Sequence, residues 1–200
     1  MTTILQINNS LFGDEGKSSS LADAFVAEWS RRQPDARVIR RDLAADPVPH
    51  LTHDRFSAAI TAPDERTPAQ ADEAVIADAL VDELLAADVL VIGVPIYNFN
   101  IPSTLKAWFD HVARAGTTFR YTENGPEGLL RSRKAYVFAT SGGRYAGTEA
   151  DFQTPYIRHF LGFLGIDDVV FTYAEGLAMG DDTSREALNA AGRRIMKLAA

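Results

Sequence analysis

An α/β fold, a five-stranded parallel sheet of order 2-1-3-4-5 with helices on both faces, is what this sequence predicts. Three observations lead there. Strand-like apolar runs alternate with helix-periodic segments along the whole chain. The run VLVIGVP (89–95) is continuously apolar, as a central strand covered on both faces must be. No GxGxxG turn follows the first strand, which sets aside the dinucleotide-binding variant of the same architecture. Right-handed crossovers then bring the C-terminal ends of strands one, three and four to one crevice, where open α/β sheets bind ligands.

The elements follow in order. TILQIN (3–8) is the first strand, and Leu21, Phe25 and Trp29, spaced every four residues, give the first helix its apolar stripe. RVIRRDL (37–43) alternates as an edge strand does. The second helix spans 67–88 and opens on Thr67-Pro68-Ala69-Gln70, a capping-box pattern with proline at the first helical position. After strand three, a helix runs from Pro102 to Ala115 and stops at Gly116. KAYVFAT (134–140) is strand four, a helix around Tyr156–Leu164 ends at Gly165, and VVFTYAEG (169–176) is strand five. The last helix is expected to start at Thr183-Ser184-Arg185-Glu186, a second capping box. Two connections exceed the usual ~4–6 residues. Residues 44–66 carry three prolines and a weak helical stretch near Arg55–Ile60, and 117–133 reads as a hairpin with Asn124-Gly125 at its turn. Residues 1–200 are read as one domain carrying that hairpin as an insertion.

Composition narrows the function. A formal net charge of −7 is the wrong sign for a nucleic-acid partner. No run approaches the ~18 apolar residues of a membrane span, and MTTILQINNS lacks the basic start of a signal peptide. The absence of cysteine rules out disulfides and thiolate chemistry and fits a cytoplasmic setting.

The chemistry lies in three loops. After strand one, Gly16-Lys17-Ser18 imitates a P-loop, but Leu11 stands where its first glycine is needed and no strand ends in a Walker B aspartate. A simpler phosphate site survives: Ser10 at the strand end, with Ser18, Ser19 and Ser20 at a helix N-terminus and Lys17 at the rim. The competing reading is that these serines only cap the helix. After strand three, YNFN (97–100) places aromatic rings where a planar ligand or a second subunit would meet them. After strand four, Thr140-Ser141-Gly142-Gly143 offers small donors and close backbone approach. One phosphate nest and two flat, donor-rich loops on one rim describe FMN better than ATP or NAD.

The chain resembles the bacterial FMN-dependent NADH-azoreductases, also described as NADH:quinone oxidoreductases, of the flavodoxin-like fold. The likeness runs nearly end to end and is carried by YNFN (97–100), ARAGTTFRYTENGPEGL (113–129), TSGG (140–143), TPY (154–156), FLGFLGI (160–166) and YAEG (173–176). The resemblance implies that Ser10, Gly16, Lys17 and Ser18 hold the FMN phosphate. It implies that Ile96, Tyr97, Asn98 and Phe99 line the isoalloxazine, with Thr140, Ser141, Gly142 and Gly143 along its other edge. The family commonly has serine, glutamine and methionine where Gly16, Lys17 and Ile96 stand; backbone donors survive such changes. The resemblance further implies a homodimer with each flavin near the interface, and Phe119 as a wall of the substrate site. The expected reaction is hydride transfer from NADH or NADPH through FMN to a quinone or azo compound in ping-pong order. No side chain is assigned as a catalytic acid or base, and His111 and His159 are read as structural. An electron-carrying flavodoxin or a non-catalytic flavin-binding module is the alternative.

Overall fold

The computed structural model describes residues 1–131 and 133–199, so Ser132, inside the hairpin segment expected at 117–133, and Ala200 lie outside the described residues. Seven strands occur among them: β1 (Thr3–Asn8), β2 (Arg37–Asp42), β3 (Val89–Pro95), β4 (Phe119–Thr122), β5 (Gly125–Gly128), β6 (Lys134–Thr140) and β7 (Asp168–Ala174). The parallel sheet has the order β2-β1-β3-β6-β7. It matches the expected 2-1-3-4-5 path, renumbered because the hairpin strands β4 and β5 intervene in sequence and pair only with each other.

The pleat divides the core. From β1, Ile4 faces one layer while Leu5 and Ile7 face the other; from β3, Val89 and Val91 oppose Leu90, Ile92 and Val94. Helices α1 (Lys17–Arg32) and α6 (Asp181–Leu198) cover the first face through Phe25, Val26, Ala191 and Ile195. The other face is covered by α3 (Pro68–Ala86), α4 (Ser103–Val112) and α5 (Gln153–Phe163) through Leu80, Leu84, Leu105, Trp108, Ile157 and Leu161. The remaining helix, α2 (His53–Ile60), lies within the long 44–66 connection and packs on α3. No helix among the described residues is long and apolar enough to cross a membrane.

Helix ends show where local signals hold. The Thr67–Gln70 box forms with both reciprocal bonds, and α3 starts at Pro68 as expected. The second expected box does not form. Helix α6 begins at Asp181, two residues before Thr183, with Gly180 as N-cap and the Asp181 and Asp182 carboxylates facing the helix dipole. Helix α4 ends at Val112 rather than Ala115, because the Thr118 hydroxyl donates to Val112 O at 2.7 Å and accepts from Arg114 N at 2.8 Å. Helix α5 begins at Gln153, ahead of the expected Tyr156, where Asp151 accepts from Thr154 N at 2.9 Å. In the hairpin Thr122 pairs with Gly125, so Glu123-Asn124 forms the two-residue turn and Gly125, at φ +106°, follows it.

His111 ties two segments together. Its ring is buried and Nε2 donates to Pro49 O at 2.9 Å, fixing the 44–66 connection to α4; burial lowers its pKa. His159 is exposed on α5. A further tie joins three elements: Asp78 on α3 accepts from Arg66 Nη1 at 2.5 Å and also pairs with Arg114. Burial pushes the Asp78 carboxyl up, but the hydrogen bonds from Arg66 and Arg114 outweigh it and hold it below the usual range. Its stabilisation is therefore present above about pH 4, the ordinary aspartate value, and lost as pH falls through the lowered folded pKa. Losing one partner of a buried pair costs about 3–5 kcal/mol, which the 36% exposure of the Asp78 side chain reduces to about 2 kcal/mol. Asp78→Asn is expected to lower urea stability by that amount at pH 7, with the difference from the parent shrinking below pH 4.

Candidate functional site

The crevice opens where the strand order reverses, between β1 and β3, at the C-terminal ends of β1, β3 and β6. A cavity of about 170 Å³ there is lined by Ser10, Lys17, Ile96, Tyr97, Thr140, Ser141 and Gly142, among others. Seven of the sequence-predicted residues thus meet in one place.

The loop after β1 curls through a 3-10 turn at Gly13–Glu15 and enters α1 with Gly16 as N-cap. Helix α1 has no side-chain cap bond and no acidic residue in its first turn, in contrast to the two aspartates of α6. No side chain therefore caps its N-terminal N–H groups at the positive dipole end, and the nearest acids, Asp14 and Glu15, lie in the 3-10 turn ahead of Gly16. The capping reading of the serines does not hold: the Ser20 hydroxyl turns back to Gly16 O at 3.0 Å, and those of Ser18 and Ser19 are buried without a partner among the described residues. A buried hydroxyl without a partner is costly and points to a missing polar group. Ser10 is buried against Gly16 so closely that a Cβ on Gly16 would lie 2.2 Å from Ser10 Oγ. Beneath, a Cβ on Gly93 of β3 would lie 2.7 Å from Ser18 O, so the helix N-terminus rests directly on the sheet. These residues fit the phosphate of a mononucleotide: orphan donors, a dipole end of the right sign, and exposed Lys17 at the rim.

The YNFN loop is a two-residue hairpin. Tyr97 and Asn100 exchange both backbone hydrogen bonds, at 3.0 and 3.2 Å, and Asn98 (φ 50°) and Phe99 (φ 68°) occupy the left-handed region between them. Asparagine tolerates that conformation; phenylalanine does so at a cost. Phe99 is 52% exposed at the rim, its ring edge-on to Tyr145 at 5.8 Å between centroids. The Tyr97 hydroxyl accepts from Leu11 N at 3.1 Å, tying this loop to the phosphate loop. Asn98 is exposed beside it.

The loop after β6 has an unusual hydrogen-bond pattern. The carbonyls of Ser141, Gly142 and Gly143 accept from Leu177 N (3.1 Å), Ala178 N (3.0 Å) and Gly176 N (2.8 Å). Within a planar trans peptide the C=O of one residue and the N–H of the next point in opposite directions. The N–H groups of Gly142, Gly143 and Arg144 therefore face away from the segment after β7. Strand β3 lies on the opposite side of β6 from β7, and Ile96 and Tyr97 at its end line the same cavity as Thr140, Ser141 and Gly142. None of the three N–H groups has a protein partner among the described residues. A flat ligand edge rich in acceptors suits them.

Phe119 does not line this cavity: it is buried at the base of the hairpin, 4.4 Å between ring centroids from Phe163 at the far end of α5. Glu175 was missed. It follows β7 directly, and its Oε1 accepts from Tyr145 N at 2.7 Å and Ala146 N at 2.9 Å. Its sequence signals were an acidic residue just past a strand end and its place in the YAEG stretch (173–176) that carries the family resemblance.

The sequence matches the flavodoxin-like fold family over residues 2–199. It is 52% identical to the FMN-dependent NADH:quinone oxidoreductase of Alcanivorax borkumensis, covering 96% of this chain and 98% of that one. The chain is a member of the FMN-dependent NADH:quinone oxidoreductase family. A further family member, numbered 6 in Burkholderia lata, is 51% identical, covering 98% of both chains. Among solved structures, the azoreductase from Bacillus anthracis superposes with a TM-score of 0.91 at 28% identity, covering 100% of this chain and 99% of that one. An FMN-dependent NADH-azoreductase from the same organism, solved in complex with FMN, gives a TM-score of 0.89 at 28% identity, covering 100% and 98%.

Proposed function

We propose that this protein binds FMN and reduces quinones, and azo compounds as well, with NADH or NADPH as the electron source. The observation that carries the reading is the acid-free N-terminus of α1 with the orphaned hydroxyls of Ser18 and Ser19, on the same rim as three unpartnered N–H groups. Bound FMN supplies a centre that takes hydride from the nicotinamide and passes two electrons to the acceptor.

The chain's own residues bind and orient. Ser10, Gly16, Lys17 and Ser18 hold the phosphate at the dipole end of α1. Ile96, Tyr97, Asn98 and Phe99 support the ring from the β3 side. Thr140, Ser141, Gly142 and Gly143 run along its other edge, and the N–H groups at 142–144 stabilise negative charge that develops there. One crevice serves donor and acceptor in turn, which implies a ping-pong order. The exposed Phe99 and Tyr121 rings suit a homodimer; a cytoplasmic setting goes with the absence of cysteine.

Purified protein is expected to be yellow and to release FMN on denaturation. NADH oxidation with menadione or methyl red should give parallel double-reciprocal lines. Colourless protein that ignores added FMN overturns the reading, and FMN binding without NADH turnover favours an electron carrier or a non-catalytic flavin module.

A further inference from the structure

We infer that Glu175 is a positioning residue for the crevice: its carboxylate fixes the return limb of the loop after β6, so that the N–H groups of Gly142, Gly143 and Arg144 stay directed at the ligand edge. The inference rests on the FMN reading above.

Consider what holds that loop. Its outgoing limb is secured by the sheet, because Ile96 N donates to Thr140 O at 2.8 Å and Ser141 N to Ala174 O at 3.2 Å. Its three central carbonyls are taken by the N–H groups of residues 176–178. Three adjacent N–H groups facing one way repel one another, so the chain needs restraint on both sides to keep them so. On the return limb that restraint is Glu175. One carboxylate oxygen accepts from two successive backbone N–H groups, Tyr145 and Ala146, and the Ser141 hydroxyl lies 3.4 Å from it. Such charge-assisted bonds are roughly twice as strong as neutral ones. The limb beyond is held by a different carboxylate, Asp151, which accepts from Gly147 N at 3.1 Å.

Glu175 also sets an aromatic wall. With Tyr145 N fixed, its ring lies on Gly143, where a Cβ would sit 2.7 Å from the ring and hydroxyl, and meets Phe99 edge-on. Gly176, at φ +73°, supplies the turn that lets Glu175 and the donor to Gly143 O leave β7 in succession. One acidic side chain thus governs both the donor row after β6 and the ring that approaches the YNFN loop.

The test compares Glu175→Ala, which removes the acceptor, with Glu175→Gln, which keeps an oxygen of the same reach. Hydrogen–deuterium exchange on the FMN-free protein reads the loop, and FMN titration reads the site. In Glu175→Ala, the amides of Tyr145 and Ala146 should exchange about tenfold faster and the FMN Kd should rise about fivefold, as loss of hydrogen bonds to a charged group predicts. Glu175→Gln should restore both to within about twofold. Glu175→Asp, one methylene short, is the second loss variant where the alanine protein does not fold. Faster exchange with unchanged FMN affinity would make Glu175 a local loop brace and overturn the inference. Wild-type protein that does not bind FMN overturns the FMN reading, whereas wild-type binding with an unaltered Glu175→Ala overturns the role of Glu175 alone.

Discussion

Lys17→Glu is expected to weaken FMN binding by about tenfold at physiological salt and about a hundredfold at low salt, while leaving the FMN-free protein as stable as before or slightly more so. Lys17 is the first residue of α1 and is exposed, so the replacement disturbs no packing. Against a dianionic phosphate at about 6 Å, each pair of unit charges in water is worth about 0.7 kcal/mol. Replacing +1 by −1 changes four such pairs, about 2.8 kcal/mol or a hundredfold, and a Debye length of about 8 Å roughly halves that. The opposite sign holds for the fold. The first turn of α1 has no acidic residue, and a carboxylate placed there gains about 0.3–1 kcal/mol from the dipole. A melting curve without FMN and a titration at two salt concentrations check both halves. Weaker binding that does not depend on salt would show that Lys17 acts through something other than the phosphate charge.

The missing acid was legible in the sequence, and so was most of what positions the site. KSSSLADAF offers a helix start with serines and no carboxylate until Asp23, while the last helix opens on Asp181-Asp182. Composition decides such features locally. The Thr67–Gln70 box was legible for the same reason, since all its partners lie within four residues. Features that depend on distant partners were not. Thr183–Glu186 has the letters of a capping box, yet the turn after β7 delivers the chain to its helix two residues earlier. Thr118 cuts α4 short by binding across a turn that its own neighbours create. Glu175 finds its partners 29 and 30 residues away, in a loop whose N–H directions are settled only by which carbonyls the 176–178 segment takes. The contact of Phe119 with Phe163 likewise depends on how the hairpin docks.

That docking turns on two glycines, and Gly128→Ala is expected to cost about 3 kcal/mol and to lower Tm by about 10 °C. A Cβ on Gly128 would lie 2.0 Å from Gly165 N and 2.2 Å from the Leu164 carbonyl carbon. These are backbone atoms with no rotamer to move, so the two chains must part by roughly 1 Å. Gly165 is constrained from its own side, at φ +94° with Gly128 O 3.0 Å from where its Cβ would be. Parting them loosens the bond from Leu130 N to Leu164 O, 2.9 Å long, and pulls Phe119 off Phe163. The phosphate nest lies at the opposite end of the sheet, beyond the C-terminal end of β1, so FMN affinity should stay within about twofold. A fall in Tm with unchanged FMN affinity therefore separates the hairpin's structural role from the site. A rise in the KM for menadione in the same variant would show instead that the hairpin completes a crevice on a second copy of the chain. An unchanged Tm would mean that the glycine crossing is not the seat of hairpin docking.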